Sequence, residues 1–230
     1  MPTIASFFIR MAGRAASGRF ETATLAPVAA QQRKLEQLVG QNRDTEYGKR
    51  YGFASVKTLE DYRRQVPLIS YEDIQDDMER VTKGAKNVFT AEDPVIFART
   101  SGTTGDSKFI PVTPTCQGRD HSDQMRTWLY RASQAHPGMF KGRIITMVSP
   151  AIEGHTESGI PYGSTSGMIY RNQPKLVQGA YAIPYDVFEI DDYEAKYYVL
   201  MLFGLANDVT FMATANPSSI VKMCQLTDEH

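Results

Sequence analysis

Cysteine is nearly missing from this chain of 230 residues; Cys116 and Cys224 are the only two. They are too few and too far apart for a disulfide framework or a zinc site, so they read as reduced thiols of a cytoplasmic protein. An excess of either charge is missing too. Twenty-five Lys and Arg stand against 26 Asp and Glu, a net charge of −1, and no global field draws such a chain to nucleic acid or to an acidic membrane. No apolar run approaches the ~20 residues of a membrane span. Neither nucleic acid nor membrane is therefore expected among the partners. His121 and His136 have no Cys, His or acid at ligand spacing, so neither reads as a metal ligand. Internal repeats and low-complexity segments are also lacking.

Acidic residues are missing before Glu21, while Arg10, Arg14 and Arg19 follow an apolar stretch from Ile4 to Ile9. A transit peptide has this composition. A secretory signal does not, because its positive charge precedes its apolar run. Without a clean cleavage pattern, residues 1–24 are expected to form a short amphipathic helix packed on the body of the protein.

What remains is ordinary for a globular domain. Apolar residues make up 42% and charged residues 22%, and the length fits one large domain or two small ones. Helical spacing of Val28, Leu35, Leu38 and Val39 predicts a helix from Pro27 to Val39. A loop with two glycines and three aromatics follows, from Asn42 to Phe53. Its Gly48-Lys49 pair has no glycine five residues earlier, so the ATPase-type P-loop pattern fails there. Thr58, with Asp61 in a near capping box, starts a short helix with Leu59, Tyr62 and Val66 as its buried face, and Pro67 stops it. Ser70 starts another, from Tyr71 to about Thr82, with Glu72 and Asp73 suited to the dipole of its first turn. Gly84 is its expected C-terminal cap, and its charges read as a solvated face.

Strands are expected at Val95 to Ala98 and Phe109 to Val112. Thr113 and Pro114 then open a helix to about Ala135. Gly142 to Ser149 is a strand rich in β-branched residues. Pro150 to Gly167 reads as a loop, and Pro174 to Pro184 as irregular or short strands. Asp191 is expected to cap a helix to Ala206, whose apolar character from Tyr197 onward implies deep burial. Val209 to Ala213 is a strand, and Asn216-Pro217 opens a last helix. Strand, helix, strand, helix is an α/β pattern.

The stretch with chemistry in it lies between the first two strands. Thr100, Ser101, Gly102, Thr103, Thr104 and Gly105 are small, and Lys108 stands where the second strand begins. Small residues leave backbone N–H groups unobstructed. Aimed into a concavity, such groups bind phosphate. The hydroxyls add donors, and the lysine adds a point charge. Triphosphate binding is the first expectation. A solvated hairpin tip is the bland alternative. The loop from Pro150 to Gly167 follows a buried strand, where α/β folds place substrate contacts. Ser149, Glu153, His155, Gly163 and Ser166 are its candidates, with a plain surface loop as the equal alternative. Glu153-Gly154-His155 makes neither a metal pattern nor a triad by itself.

Thr100 to Gly105, two residues, then Lys108 resembles the phosphate-binding signature of the adenylate-forming superfamily, position by position. Acyl-CoA ligases of that superfamily usually carry Pro where this chain has Ser107, and continue differently after the lysine. Lys108-Phe109-Ile110-Pro111 is instead similar to the auxin-responsive promoter family of acyl acid–amido synthetases. So are Asn42 to Gly48, Val66 to Ile74, and Asn216-Pro217-Ser218. The resemblance covers roughly residues 25 to 226.

The resemblance implies the N-terminal part of the adenylate-forming fold: an α/β domain with a helical N-terminal layer on a mixed sheet, incomplete over residues 25–230. It implies ATP and Mg²⁺ as cofactors, and a small-molecule carboxylic acid and an amine or amino acid as partners. The acid becomes an acyl-adenylate, and the amine then displaces AMP to give an amide. The lysine and the loop would stabilise the departing pyrophosphate. Adenine- and ribose-binding motifs and a small C-terminal domain are expected beyond residue 230, so the chain reads as a truncated form inactive alone. An acyl-CoA ligase and a non-catalytic nucleotide-binding module are the alternatives.

Overall fold

The computed structural model describes residues 2–100, 108–214 and 216–229. The chain divides into two compact units. One comprises residues 18–122 and 154–162; the other comprises residues 1–17, 123–153 and 163–230.

Helix α1, Pro2–Thr24, contributes its first part to the second unit. It fills the expected span, and among its described side chains the packing surface is small. Ala16 and Ser17 are buried, and a Cβ on Gly13 would stand 2.6 Å from the Cβ of Tyr130. Ile9 joins the cluster of Met139, Phe140 and Ile144. The large residues Phe7, Phe8, Met11 and Phe20 are exposed. The expected helix exists, but mostly small side chains seat it, because the close approach at Gly13 leaves no room for larger ones.

Helix α2, Pro27–Gln41, has Pro in its first turn and buries Val39 alone. Its Val28 and Leu38 lie exposed, against the expected apolar face. The following stretch is no plain loop. Thr45 caps a short helix α3, Glu46–Arg50, accepting from the Gly48 N–H at 2.9 Å. Gly48 is required there: a Cβ would meet the Asn42 carbonyl oxygen at 2.1 Å. Its low helix propensity hid the helix, and close packing overrides it. The Tyr47 ring meets Tyr51 at a tilt and Phe53 edge-on.

Helix α4, Leu59–Gln65, has the complete capping box of Thr58 and Asp61, but buries no residue, and Leu59 is exposed. A 3₁₀ turn, Glu72–Ile74, precedes α5, Gln75–Thr82. Gly84 closes α5 with a φ of 99°. The Ala85 N–H bonds back to Arg80 and the Gly84 N–H to Val81, the paired bonds of a left-handed cap. Met78 and Val81 of α5 pack with Val88 and Phe97 to form the core of this unit. The helices α1 to α5 precede every strand, as expected of a helical N-terminal layer.

The first sheet runs, strand by strand, Phe109–Val112, Ile96–Arg99, Pro161–Gly163 and Gly154–His155. Strands β1, Ile96–Arg99, and β2, Phe109–Val112, pair antiparallel, with Arg99 opposite Phe109. Helix α6, His121–Ala135, follows a π-helical turn at Cys116–Asp120. The Glu92 carboxylate accepts from the backbone N–H of Thr115 at its entrance.

In the second unit β3, Arg143–Met147, pairs parallel with β6, Val209–Thr214. Between them the expected loop holds the antiparallel pair β4, Gly154–His155, and β5, Pro161–Gly163, which belongs to the first sheet. Two helices, α7, Thr165–Arg171, and α8, Lys175–Gln178, come next. These elements are too short to carry a readable period. Asp192, not Asp191, caps α9, Tyr193–Leu205. Tyr197, Leu200 and Met201 enter the core with Ile145, Tyr170, Ile183 and Phe188. Deep burial all round is not found: Tyr198, Leu202 and Leu205 are exposed, because one face of the helix meets the sheet. Asn216 caps α10, Ser218–Glu229, through its side-chain oxygen.

Candidate functional site

The β1–β2 ladder continues one residue past the strands, to the edge of the candidate loop. The Thr100 N–H donates to the Lys108 carbonyl at 3.1 Å. The Lys108 N–H donates to the Thr100 hydroxyl at 3.2 Å. Thr100 and Lys108 therefore close the base of the segment. Ser101, Gly102, Thr103, Thr104 and Gly105 lie outside the described residues.

The Lys108 side chain has two neighbours that sequence reasoning did not assign to it. Its ammonium is 2.8 Å from the Glu72 carboxylate and lies 4.9 Å from the centroid of the Tyr71 ring. Tyr71 also accepts the Phe109 N–H through its hydroxyl at 3.2 Å. Phe109 in turn meets Phe97 and Tyr162 edge-on. One tyrosine thus touches both the first residue of β2 and the lysine before it. Ser70 makes this possible: its N–H and hydroxyl donate to Asp73 at 2.7 and 2.9 Å. That turn brings Tyr71 and Glu72 to the hairpin.

Glu72 is held down to about 2, first by its hydrogen bond from Lys108, then by its own backbone N–H and the Ser70 hydroxyl. It is anionic at any physiological pH. Both partners stay accessible, Lys108 at 43% and Glu72 at 65%. An exposed pair of this kind is weak and exchangeable. An incoming anion can compete for the ammonium. The only sequence signal was that Ser70-Tyr71-Glu72 belongs to one of the stretches that share the resemblance. A contact across 36 residues has no period by which to find it.

The second group of candidates is arranged differently. Gly163 and Gly167 seat the chain from Ser149 to Glu153. A Cβ at Gly163 would stand 2.3 Å from the Ala151 carbonyl oxygen, and one at Gly167 2.2 Å from that of Ser149. The Ala151 N–H donates to the Tyr185 hydroxyl at 2.7 Å, and the Ser164 N–H to the Pro150 carbonyl at 3.1 Å. Ser166 shares a 2.7 Å hydroxyl contact with Ser164, the cap of α7. Ser149 and Glu153 are exposed. His155 is exposed as well and belongs to the other unit. Backbone packing brings Ser149, Gly163 and Ser166 into one neighbourhood. Among the described residues, no group of three His, Cys, Asp or Glu side chains could hold a metal ion. No helix among them is long and apolar enough to cross a membrane.

Comparison with known proteins gives the same direction from the sequence and from the fold. An Arabidopsis thaliana indole-3-acetic acid-amido synthetase, GH3.6, is 26% identical over 213 residues, covering 87% of this chain and 34% of the relative. A probable indole-3-acetic acid-amido synthetase of Oryza sativa subsp. japonica, GH3.1, is 27% identical over 216 residues. The chain thus spans about a third of the length of these relatives. Among solved structures, the AtGH3.15 acyl acid amido synthetase in complex with 2,4-DB superposes with a TM-score of 0.76 at 19% identity, over 95% of this chain and 38% of that one. The fold is that of the N-terminal region of such a synthetase, as the resemblance implied. The model of the GH3 family N-terminal domain matches residues 16–230, and the chain belongs to the GH3 family.

Proposed function

We propose that this chain supplies the polyphosphate grip of an ATP-dependent acyl acid–amido synthetase. The observation that carries the proposal is the closure of the loop by Thr100 and Lys108, which puts a cation at the end of a Gly- and hydroxyl-rich segment. The relatives named as amido synthetases support the reaction class.

In that reaction a carboxylate oxygen of the acyl acid attacks the α-phosphorus of ATP. The bond to the bridging oxygen breaks, and pyrophosphate leaves with its electron pair. An amine nitrogen then attacks the acyl carbon, AMP departs, and the amine loses a proton to form the amide. Negative charge grows on the pyrophosphate in the first half. Lys108, the Thr100 hydroxyl and the hydroxyl and N–H donors of Ser101 to Gly105 would stabilise that charge, and loss of one such donor costs roughly 3 kcal/mol of barrier. Mg²⁺ held on the phosphates would share in neutralising that charge. No side-chain nucleophile is needed. Ser149, Glu153, Gly163 and Ser166, which lie in one unit, are the proposed acyl-side residues. For Gly163 the part is to shape the backbone, since it has no side chain to offer. A cytoplasmic protein with reduced thiols completes the reading. Burial pushes the Cys116 thiol up, away from reactivity.

The test is acyl acid-dependent exchange of labelled pyrophosphate into ATP. In a chain of the relatives' full length containing these residues, exchange should occur with at least one carboxylic acid and be lost in Lys108→Ala. Exchange that persists undiminished in Lys108→Ala would remove Lys108 from the reaction. Its absence across a broad panel of acids would remove the reaction itself.

A further inference from the structure

We propose that Tyr71 and Glu72 are positioning residues for Lys108: Tyr71 sets where the strand and its lysine stand, and Glu72 occupies the ammonium until a polyphosphate takes it over. This rests on the reading of Lys108 as the polyphosphate-binding cation.

Three contacts converge on the start of β2. The Tyr71 hydroxyl accepts the Phe109 N–H at 3.2 Å, one residue from Lys108. The same ring lies 4.9 Å below the ammonium. The Glu72 carboxylate is 2.8 Å from that ammonium. Tyr71 is partly buried against the core of Met78, Val81, Val88 and Phe97, so its ring is a fixed platform. Lysine has a flexible four-carbon stem. An ammonium on such a stem sweeps a large volume unless something holds it. Here an aromatic face and one anion hold it beside the start of β2.

The two neighbours act in opposite directions on a bound anion. A cation over an aromatic ring keeps its charge available to a second partner. A carboxylate in direct contact neutralises part of the charge and repels a phosphate. Glu72 is exposed and its hydrogen bond can be exchanged. The arrangement is a lysine held ready by one residue and held back by its neighbour.

The experiment titrates the 230-residue chain with inorganic tripolyphosphate in a calorimeter, at low salt and without Mg²⁺. Glu72→Gln should bind about fivefold more tightly than wild type, the effect of removing one surface anion from contact. Glu72→Asp, which keeps the charge, should bind within about twofold of wild type. Tyr71→Leu, which loses ring and hydroxyl, should bind at least about threefold more weakly. A purely structural role would act whether or not Lys108 is present, so each variant is repeated in a Lys108→Ala background, where both effects should vanish. Binding that is equal in wild type and Lys108→Ala would sink the reading of Lys108. Loss on Lys108→Ala with no gain in Glu72→Gln, or a gain that survives in the Lys108→Ala background, would overturn the positioning proposal alone. Hydrogen exchange at the Phe109 amide checks the geometry without ligand: it should be about fivefold faster in Tyr71→Phe, and an unchanged rate would contradict the Tyr71 contact.

Discussion

The segment closed by Thr100 and Lys108 and the segment from Ser149 to Gly167 look alike in the sequence. Each follows a strand, and each carries glycines and hydroxyls. In the structure the described residues around them are arranged on opposite principles. Gly163 and Gly167 are where they are because backbone oxygens stand 2.3 and 2.2 Å from any Cβ they might carry. The hydroxyls of Ser164 and Ser166 bond to each other at the first turn of α7. Around Lys108 the contacts are instead an exchangeable ion pair, a ring face and two hydrogen bonds at the hairpin base. Glycine in the Ser149 to Gly167 segment therefore means close packing, whereas the Lys108 end is defined by side-chain contacts.

That contrast can be broken by mutation. Gly167→Ala should have the largest effect. Its methyl group cannot fit against the Ser149 carbonyl oxygen, and overpacking of this kind costs about 3 kcal/mol. The melting temperature should fall by roughly 8 °C; an unchanged value would mean that the Ser149 to Glu153 segment yields freely. Tyr185→Phe leaves the Ala151 N–H without its acceptor and should cost about 1 kcal/mol by denaturant titration. Stability equal to wild type would remove Tyr185 from the clamp. Thr100→Val deletes the acceptor for the Lys108 N–H, so exchange of the Lys108 amide should rise about fivefold while global stability changes little. A slower or unchanged amide would argue against the closure. His155→Ala is the control for the comparison: an exposed residue at the end of β4, it should shift stability by less than about 0.5 kcal/mol.

Much of this was legible in the sequence, and the reasons are physical. The hairpin could be read because Gly and hydroxyl residues sit between two β-branched or aromatic runs. Thr58 with Asp61, Gly84 and Asn216 announced their caps, because capping is local chemistry within a few residues. What escaped depends on distant neighbours. Helix α3 was hidden by Gly48, whose place is dictated by the Asn42 carbonyl. Strands β4 and β5 and helices α7 and α8 are too short to show a period. Burial of α9 was overestimated, since composition does not say how many faces of a helix are covered. The exposed Leu59 and Val28 make the same point for α4 and α2. At the candidate site, Lys108 is a candidate from its spacing in the sequence, whereas its contacts with Tyr71 and Glu72 are visible only in the fold.

The most direct test of the account is a calorimetric titration of the chain with MgATP, wild type against Lys108→Ala. Charge-assisted hydrogen bonds from one ammonium to a phosphate should make the wild type at least about tenfold tighter, with both proteins melting at the same temperature because the lysine head is exposed. Equal affinities in two equally stable proteins would contradict the assignment of this loop to the phosphates of ATP.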